Sequence, residues 1–345
     1  MSTTAPTTTA TSAVVVHRQE QFDQSAWYRL IRRDEVGIFA ATVVLILAAA
    51  IFAPHFLDAD NLLSIAQQIA IIAIVAAGMT YVIVVGEIDL SVGSQYGFLA
   101  VFFAWSIHDW GIPAGAAIPA TLILGLGTGA LNGVVTTIFG IPSFVVTLAA
   151  LAVYRGAALL LSEGVPIIAS KNEVFRAITS GYLFPGLSAQ TLWMILLLLV
   201  LGVVLAFTRF GSNVYSVGGN RSAAADAGID VNVTKIICFA LTGFLCAVAA
   251  LLLTGWLGSG NPLTGTGFEL SVIAAVVVGG ASLTGGKGTI VGTFLGAVVA
   301  GVLNNALILA GISNNWQQVA TGLLIVVAVF INRLVAKRTG ADLRT

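Results

Sequence analysis

From Val36 to Arg333 the chain is one apolar run after another, separated by little more than glycine, proline and short charged stretches. A helix needs about 20 residues to cross the hydrocarbon core of a bilayer. About ten runs qualify, with approximate limits 36–53, 62–86, 92–108, 113–134, 141–162, 189–207, 234–256, 267–280, 288–310 and 316–333. Those at 92–108 and 267–280 are the weakest, being short and rich in glycine or polar residues. A soluble surface cannot be built from this chain. Charged residues make up 9% of it, against about 25% in a soluble domain, and mean hydropathy is +1.00. The expected fold is all-α, a polytopic bundle of transmembrane helices forming a pathway across a bilayer.

Basic residues set the orientation. With the N-terminus inside and the runs alternating, the inner segments collect Arg18, Arg29, Arg32, Arg33, Arg209, Arg221, Lys235, Lys287, Arg333, Lys337, Arg338 and Arg344. The outer segments collect only Lys171 and Arg176, and Arg155 falls within a run. That positive-inside bias would be scattered by the loss of one span, so ten spans with both termini cytoplasmic is the self-consistent reading. Three regions follow: a disordered or amphipathic cytoplasmic N-terminus over 1–35, a transmembrane domain over 36–334 and a cytoplasmic tail over 335–345. The Thr, Ser and Ala of Met1 to Ala13 predict disorder. No basic segment leads straight into a short apolar core, as a signal peptide requires. The longest inner loop spans 208–233, and the outer segment from Ser162 to Ser188 carries Pro166, Lys171, Glu173, Arg176 and Pro185. A formal net charge of +0 gives no sign of a nucleic-acid partner. Cys238 and Cys246 stand about 12 Å apart on a helix, beyond disulfide reach, and read as small apolar residues.

No catalytic constellation is visible. His17, His55 and His108 lie in different segments. The nearest approach to a phosphate loop, Gly280 to Gly288, has Ala281 where the first glycine belongs and Gly288 where Ser or Thr must follow Lys287. The chain is therefore expected to be no enzyme and to hold no cofactor or metal. Its chemistry should lie in polar groups at membrane depth, which cost several kcal/mol unless they face a cavity or a partner. Glu87 and Asp89 stand in Gly86-Glu87-Ile88-Asp89-Leu90-Ser91. Two readings stay open: a helix break whose carboxylates and freed backbone groups line the pathway, or carboxylates at the water interface with Asp89 or Ser91 capping the next helix. Arg155, in mid-run, requires a carboxylate or a wet cavity, and structural pairing is its expected role. Glu269 opens a run behind Gly265-Thr266-Gly267 as an N-terminal helix charge. The amides of Gln67, Gln68, Asn132, Asn304 and Asn305 suit a neutral polyol, although buried amides more often tie helices together. Gly125, Gly129 and Gly133, like Gly288, Gly292 and Gly296, recur every four residues and predict close helix contacts. A faint internal repeat lays Val84 to Gly93 on Val277 to Gly286, so that Gly86 falls on Gly279. Duplicated spans are a common transporter construction.

The inner loop from Gly211 to Asp230 joins Gly218-Gly219-Asn220 to a short Ala-rich helix, Ser222 to Ala227, and then to Gly228-Ile229. Together with Gly86 to Ser94, Ile141 to Leu148, Tyr154-Arg155-Gly156 and Val278 to Thr289, it resembles the ABC importer permeases of the ribose/xylose/arabinose type. These form the sugar branch of the family that also includes the branched-chain amino-acid permeases. The resemblance covers roughly Asn61 to Arg333. Glu87 departs from the pattern, which more often has a small residue there. The resemblance implies a non-catalytic permease in the bacterial plasma membrane, moving a monosaccharide inward by alternating access. Two copies would form the pathway, a separate tandem ATPase would bind the ATP, and an extracytoplasmic sugar-binding protein would deliver the substrate. It assigns ATPase coupling to Gly218, Gly219, Asn220, Arg221, Ala224, Ala225, Gly228 and Ile229. Glu87, Asp89, Ser91, Gln67, Gln68, Asn132, Phe144, Thr147, Arg155, Asn304 and Asn305 become the candidate substrate pathway. The alternatives are an ion-coupled secondary transporter using Glu87, Asp89 and Arg155 as a relay, or the same family carrying branched-chain amino acids or a signalling furanose. The near-neutral, amide-rich spans favour a sugar.

Overall fold

The computed structural model describes residues 34–169, 172–184 and 186–338. The disorder expected of the N-terminus, Lys171, Pro185 and the tail from residue 339 lie outside the described residues. Ten helices coincide with the ten apolar runs: α1 (Asp34–Phe52), α2 (Ala59–Val84), α3 (Val92–His108), α4 (Ala114–Ile138), α5 (Ser143–Ser162), α7 (Ala189–Phe207), α10 (Val231–Leu257), α11 (Phe268–Val278), α12 (Ile290–Leu309) and α13 (Asn314–Arg338). By length and composition, six of them can cross a membrane: α2, α4, α5, α7, α10 and α12. Shorter apolar stretches lie in α1, α11 and α13. The connections hold structure that the hydrophobic pattern does not announce. These are helix α6 (Glu173–Ser180), on the face that the basic-residue bias would make the outer one, helices α8 (Arg209–Gly219) and α9 (Arg221–Asp226), on the face it would make the inner one, and short strand pairs. On the first of these faces, β1 (Ile167–Ile168) pairs with β4 (Ser259–Gly260), and β2 (Tyr182–Phe184) pairs with β3 (Leu187–Ser188).

The bundle is organised around α2. Every residue from Ile69 to Val84 is buried, on all faces of the helix, because α10, α12, α7 and α11 surround it. A helix apolar all round belongs at such a centre. The most extensive helix contact is between α4 and α10. There the stripe Gly125, Gly129 and Gly133 lies on Gly243, Phe239 and Ile236 so closely that a Cβ at Gly129 would collide with the Phe239 carbonyl oxygen. Gly292 and Gly296 likewise bring α12 onto Gly279 and Ala275 of α11. The first stripe packs helices as expected in lipid; of the second, Gly292 and Gly296 do so, whereas Gly288 lies in the turn before α12, against Val84 and Ala281. Cys238 and Cys246 are free and buried.

The two segments laid together as a repeat share a glycine-capped helix end, which α9 and α12 also have at Gly228 and Gly311, and the shared cap falls one residue out of the register that sequence similarity gave. Both α2 and α11 end in the same left-handed cap, with φ 88° at Gly86 and 89° at Gly280. In the first, Glu87 N–H donates to Val82 O at 2.9 Å and Gly86 N–H to Ile83 O at 3.0 Å. In the second, Ala281 N–H donates to Val276 O at 3.1 Å and Gly280 N–H to Val277 O at 3.0 Å. This motif needs glycine at its left-handed residue, so Gly86 corresponds to Gly280 and not to Gly279.

The repeats differ at their outer ends. Helix α2 has 26 residues and α11 only 11. The missing turns are replaced by β4 and a run of turns over 262–267, which pass Ala100 and Ala104 at Gly260, Gly97 at Thr264 and Gly93 at Gly265. This irregular segment therefore descends alongside α3 and delivers α11 at the level of Gly93.

Candidate functional site

The chain between α2 and α3 is a buried break. Asp89 is fully buried, and its Oδ1 accepts from Ser91 N–H at 2.8 Å and from Ser91 Oγ–H at 2.6 Å. Ser91 Oγ accepts from Asn132 Nδ2 at 2.9 Å, and Asn132 Oδ1 accepts from Tyr154 OH at 3.1 Å, a proton shared with the Thr128 carbonyl at 3.1 Å. Gln95, one turn beyond Ser91, donates Nε2–H to Thr128 Oγ1 at 2.7 Å. The backbone freed by the break is met by the first turns of α5: Ile88 N–H reaches Ser143 Oγ at 3.2 Å and Leu90 N–H reaches Thr147 Oγ1 at 3.0 Å. Non-helical backbone survives in a membrane only when buried in protein or lining water, and here protein supplies the partners. Of the capping alternative, the bond from Ser91 N–H to Asp89 Oδ1 is of cap type but is made inside the protein, and Ser91, at the N-cap of α3, makes no side-chain cap bond. Asp89 Oδ2 and Gln95 Oε1 are buried acceptors with no hydrogen-bond partner among the described residues.

Glu87, two residues earlier, points the other way and forms an ion pair with Lys235 on the second turn of α10. The side chains are 13% and 7% exposed. Sequence reasoning counted Lys235 only as one more inner positive charge.

Directly below lies the inner loop. Thr208 caps α8, accepting from Gly211 N–H at 3.3 Å, and Asn220 caps α9, accepting from Ala223 N–H at 3.0 Å. Gly219, Asn220, Arg221, Ala225 and Gly228 are exposed, whereas Ala224 is buried and Gly218 and Ile229 half-buried. Gly218 faces inward: a Cβ there would collide with the Val84 carbonyl, and Gly86, Gly285 and Gly286 surround it. Gly286 N–H donates to Val84 O at 2.8 Å, and Tyr215 OH donates to Gly288 O at 2.7 Å. The end of α8 is thus clamped where the two repeat breaks meet.

The remaining expected residues fall elsewhere. Arg155 Nη1 donates to the carbonyl oxygens of Pro262 and, at 2.9 Å, of Thr264. Its partners are backbone carbonyls of the irregular segment before α11, where a carboxylate or a wet cavity was expected. The Glu269 carboxylate, in the first turn of α11, adds electrostatic attraction. Asn305 exchanges hydrogen bonds with Asn61, at 2.8 and 3.2 Å, near the outer ends of α12 and α2. Asn304 Oδ1 is buried without a partner among the described residues, Gln67 is buried and Gln68 half-buried. Phe144 is exposed and Thr147 fully buried. The structure therefore brings together Glu87, Asp89, Ser91, Asn132 and Thr147, and leaves Gln67, Gln68, Asn304 and Asn305 in a separate outer group. Tyr154, Thr128, Gln95, Ser143 and Lys235 join the inner cluster without having been singled out. The spacings Ser91 to Gln95 and Thr128 to Asn132, each one helical turn, were the available signal.

Residues 61–329 match the family described as branched-chain amino acid transport system / permease component. The chain is 37% identical over 303 residues to the ribose import permease protein of Haemophilus influenzae, covering 87% of this chain and 93% of that one. It is 39% identical over 301 residues to the ribose import permease protein of Bacillus subtilis, with the same coverage. A probable ABC transporter permease of Escherichia coli is 39% identical over 306 residues, covering 89% of this chain and 91% of that one. No solved structure matches. Six long apolar helices and this similarity over nearly the whole length settle the family: the chain is a multi-pass membrane permease and belongs to the permease components of the branched-chain amino acid transport type, on the side of its ribose-importing members.

Proposed function

We propose that this chain is the inner-membrane permease subunit of an ATP-binding-cassette importer for a monosaccharide of the ribose or xylose kind. The observation that carries the reading is the inner loop: an exposed short helix, α9, sits on a clamp that holds both repeat breaks. A soluble ATPase gripping α9 through Asn220, Arg221 and Ala225 gains direct leverage on Gly86 to Ser91. ATP is bound and hydrolysed by that partner, which is expected to be a tandem subunit. The permease supplies movement, with ten spans and both termini inside.

A second copy completes the pathway. Leu263 and Thr266 are exposed although the irregular segment that carries them descends beside α3. Irregular backbone at that depth does not face lipid, which supports a water-filled route shared with a second copy covering it. The polar lining is short of fixed charge, since Glu87 is paired with Lys235 and Arg155 is spent on backbone carbonyls. That suits a neutral sugar handed over by an extracytoplasmic binding protein better than a zwitterion, and transport proceeds by alternating access.

The test is reconstitution. Wild-type permease in proteoliposomes with its ATPase and sugar-binding protein should take up labelled pentose only when ATP is present. Arg221→Glu with Ala225→Glu, both on the exposed face of α9, should abolish ATPase capture while leaving the permease folded. Uptake driven by an ion gradient with no ATPase present would replace this reading with an ion-coupled carrier.

A further inference from the structure

We infer that the Glu87–Lys235 ion pair is the link through which motion of the docking helix reaches the buried break, so that both side chains are positioning residues for transport. The inference rests on the importer reading above. Lys235 is tied to α9 by a short connection with no slack. Gly228 N–H donates to Ala225 O at 2.9 Å, Ile229 N–H to Ala224 O at 3.0 Å, and Asp230 caps α10 by accepting from Val233 N–H at 2.9 Å. A shift of α9 must therefore turn or translate the first two turns of α10, and Lys235 with them. At the other end Glu87 follows the glycine cap of α2 and stands two residues before Asp89, whose carboxylate reaches α4 through Ser91 and Asn132.

Three features argue against a mere stabilising pair. First, neither charge suits the helix end beside it. Glu87 follows the C-terminal end of α2 and Lys235 lies near the N-terminal end of α10, where the helix dipoles favour the opposite signs. Second, the pair is nearly sealed from water, and burying two charges offsets most of what their attraction returns. Third, the equivalent position in the second break is Ala281, and that break meets the loop without a charged side chain, through Tyr215 OH to Gly288 O and the close approach of Gly285 and Gly286 to Gly218 and Gly219. Apart from an exposed His55–Asp58 contact, it is the one ion pair among the described residues.

The experiment measures ATP hydrolysed per sugar imported, using the full permease with its ATPase and sugar-binding protein in proteoliposomes. Glu87→Gln and Lys235→Met should still assemble and the complexes still hydrolyse ATP, while the ratio of ATP spent to sugar moved rises about tenfold, as loss of a coupling interaction does. The exchange of Glu87→Lys with Lys235→Glu restores the pair with each charge at its favoured helix end, and should bring the ratio back to within about threefold of wild type. Single variants with the wild-type ratio would overturn the inference. So would single variants that lose assembly and are not rescued by the exchange, because the pair would then be structural. Wild-type complexes that import no sugar with ATP would instead overturn the importer reading itself, which keeps the two failures apart.

Discussion

The two glycine-capped breaks share a backbone and differ in everything attached to it. In the first, Gly86 to Ser91, each polar group reaches another helix: Glu87 to α10, the Ile88 and Leu90 amides to α5, and Asp89 through Ser91 to α4. In the second, the turn closes on itself. Ser282 N–H donates to Lys287 O at 3.0 Å, Gly285 N–H to Ser282 O at 2.9 Å, and Ser282 Oγ lies 2.8 Å from Thr284 Oγ1. The first break is wired through side chains to three other helices, and the second is mostly a self-contained turn that reaches α2 by Gly286 N–H to Val84 O and α8 by Tyr215 OH to Gly288 O. The two share a backbone cap, and side chains decide how many neighbours each can report on.

The largest effect should come from the joint that the two breaks share. Gly218 has the Val84 carbonyl on one side and Gly286 N on the other, both backbone, so a methyl group finds nothing that can give way. Gly218→Ala should cost about 3 kcal/mol, at the upper end of overpacking effects, and appear as a large drop in melting temperature of the detergent-solubilised permease. Gly219→Ala is the control, since nothing lies within 4 Å of a Cβ there, and it should move stability by less than about 0.5 kcal/mol. Equal effects at 218 and 219 would dissolve the idea of a clamp.

The breaks themselves are separated by truncation at matched positions. With Gly86 placed on Gly280, Asp89 corresponds to Leu283. Asp89→Ala strands the Ser91 N–H and hydroxyl inside the protein, which should cost about 1–3 kcal/mol. Leu283, 37% exposed, should tolerate alanine with under about 0.5 kcal/mol of change. Thermal melting of both variants decides the matter, and a Leu283→Ala loss as large as that at Asp89 would break the contrast.

That register also marks how far the sequence could be read. Apolar run length located ten helices within a few residues, because each run must satisfy its own backbone in lipid whatever it packs against. The glycine stripes were equally readable, since close approach depends on residue size alone. The inner cluster was half visible. Glu87, Asp89, Ser91 and Asn132 stand out as polar residues in apolar runs, but Lys235 looks like any inner basic residue until its partner is placed 148 positions earlier. The repeat slipped by one because similarity scored identical letters, whereas the backbone fixes which glycine takes the left-handed position. Nothing local announces the descending segment either: Ser259 to Gly267 reads as an ordinary outer loop, and its depth is set by α3 and Arg155.

Arg155 therefore extends the comparison to the outer half, where the repeats differ in backbone and not only in side chains. The first repeat continues outward as helix and needs no outside donor. The second is unwound and relies on one guanidinium for the Pro262 and Thr264 carbonyls. Arg155→Ala should leave both oxygens unmet, cost about 1–3 kcal/mol, and raise amide exchange over 259–267 well above that over Ala59 to Gln67. Arg155→Lys, which keeps the charge and the donors but replaces the rigid planar guanidinium with a flexible ammonium, should fall between. Exchange that stays unchanged in Arg155→Ala would mean that β1 and α3 hold the segment unaided.

The smallest effect belongs to the outer polar tie, where the inner and outer halves of α2 part company. Asn61 and Asn305 exchange hydrogen bonds near the outer ends of α2 and α12, and neither touches a break. Interhelical hydrogen bonds of this sort in membrane proteins average about 0.6 kcal/mol. Asn305→Ala should therefore lower the melting temperature only slightly and leave the ratio of ATP spent to sugar imported at its wild-type value. Should Asn305→Ala shift that ratio as Glu87→Gln does, the outer group would share in transport. The division drawn here, between a wired inner break and an outer end that merely fastens helices, would then fall.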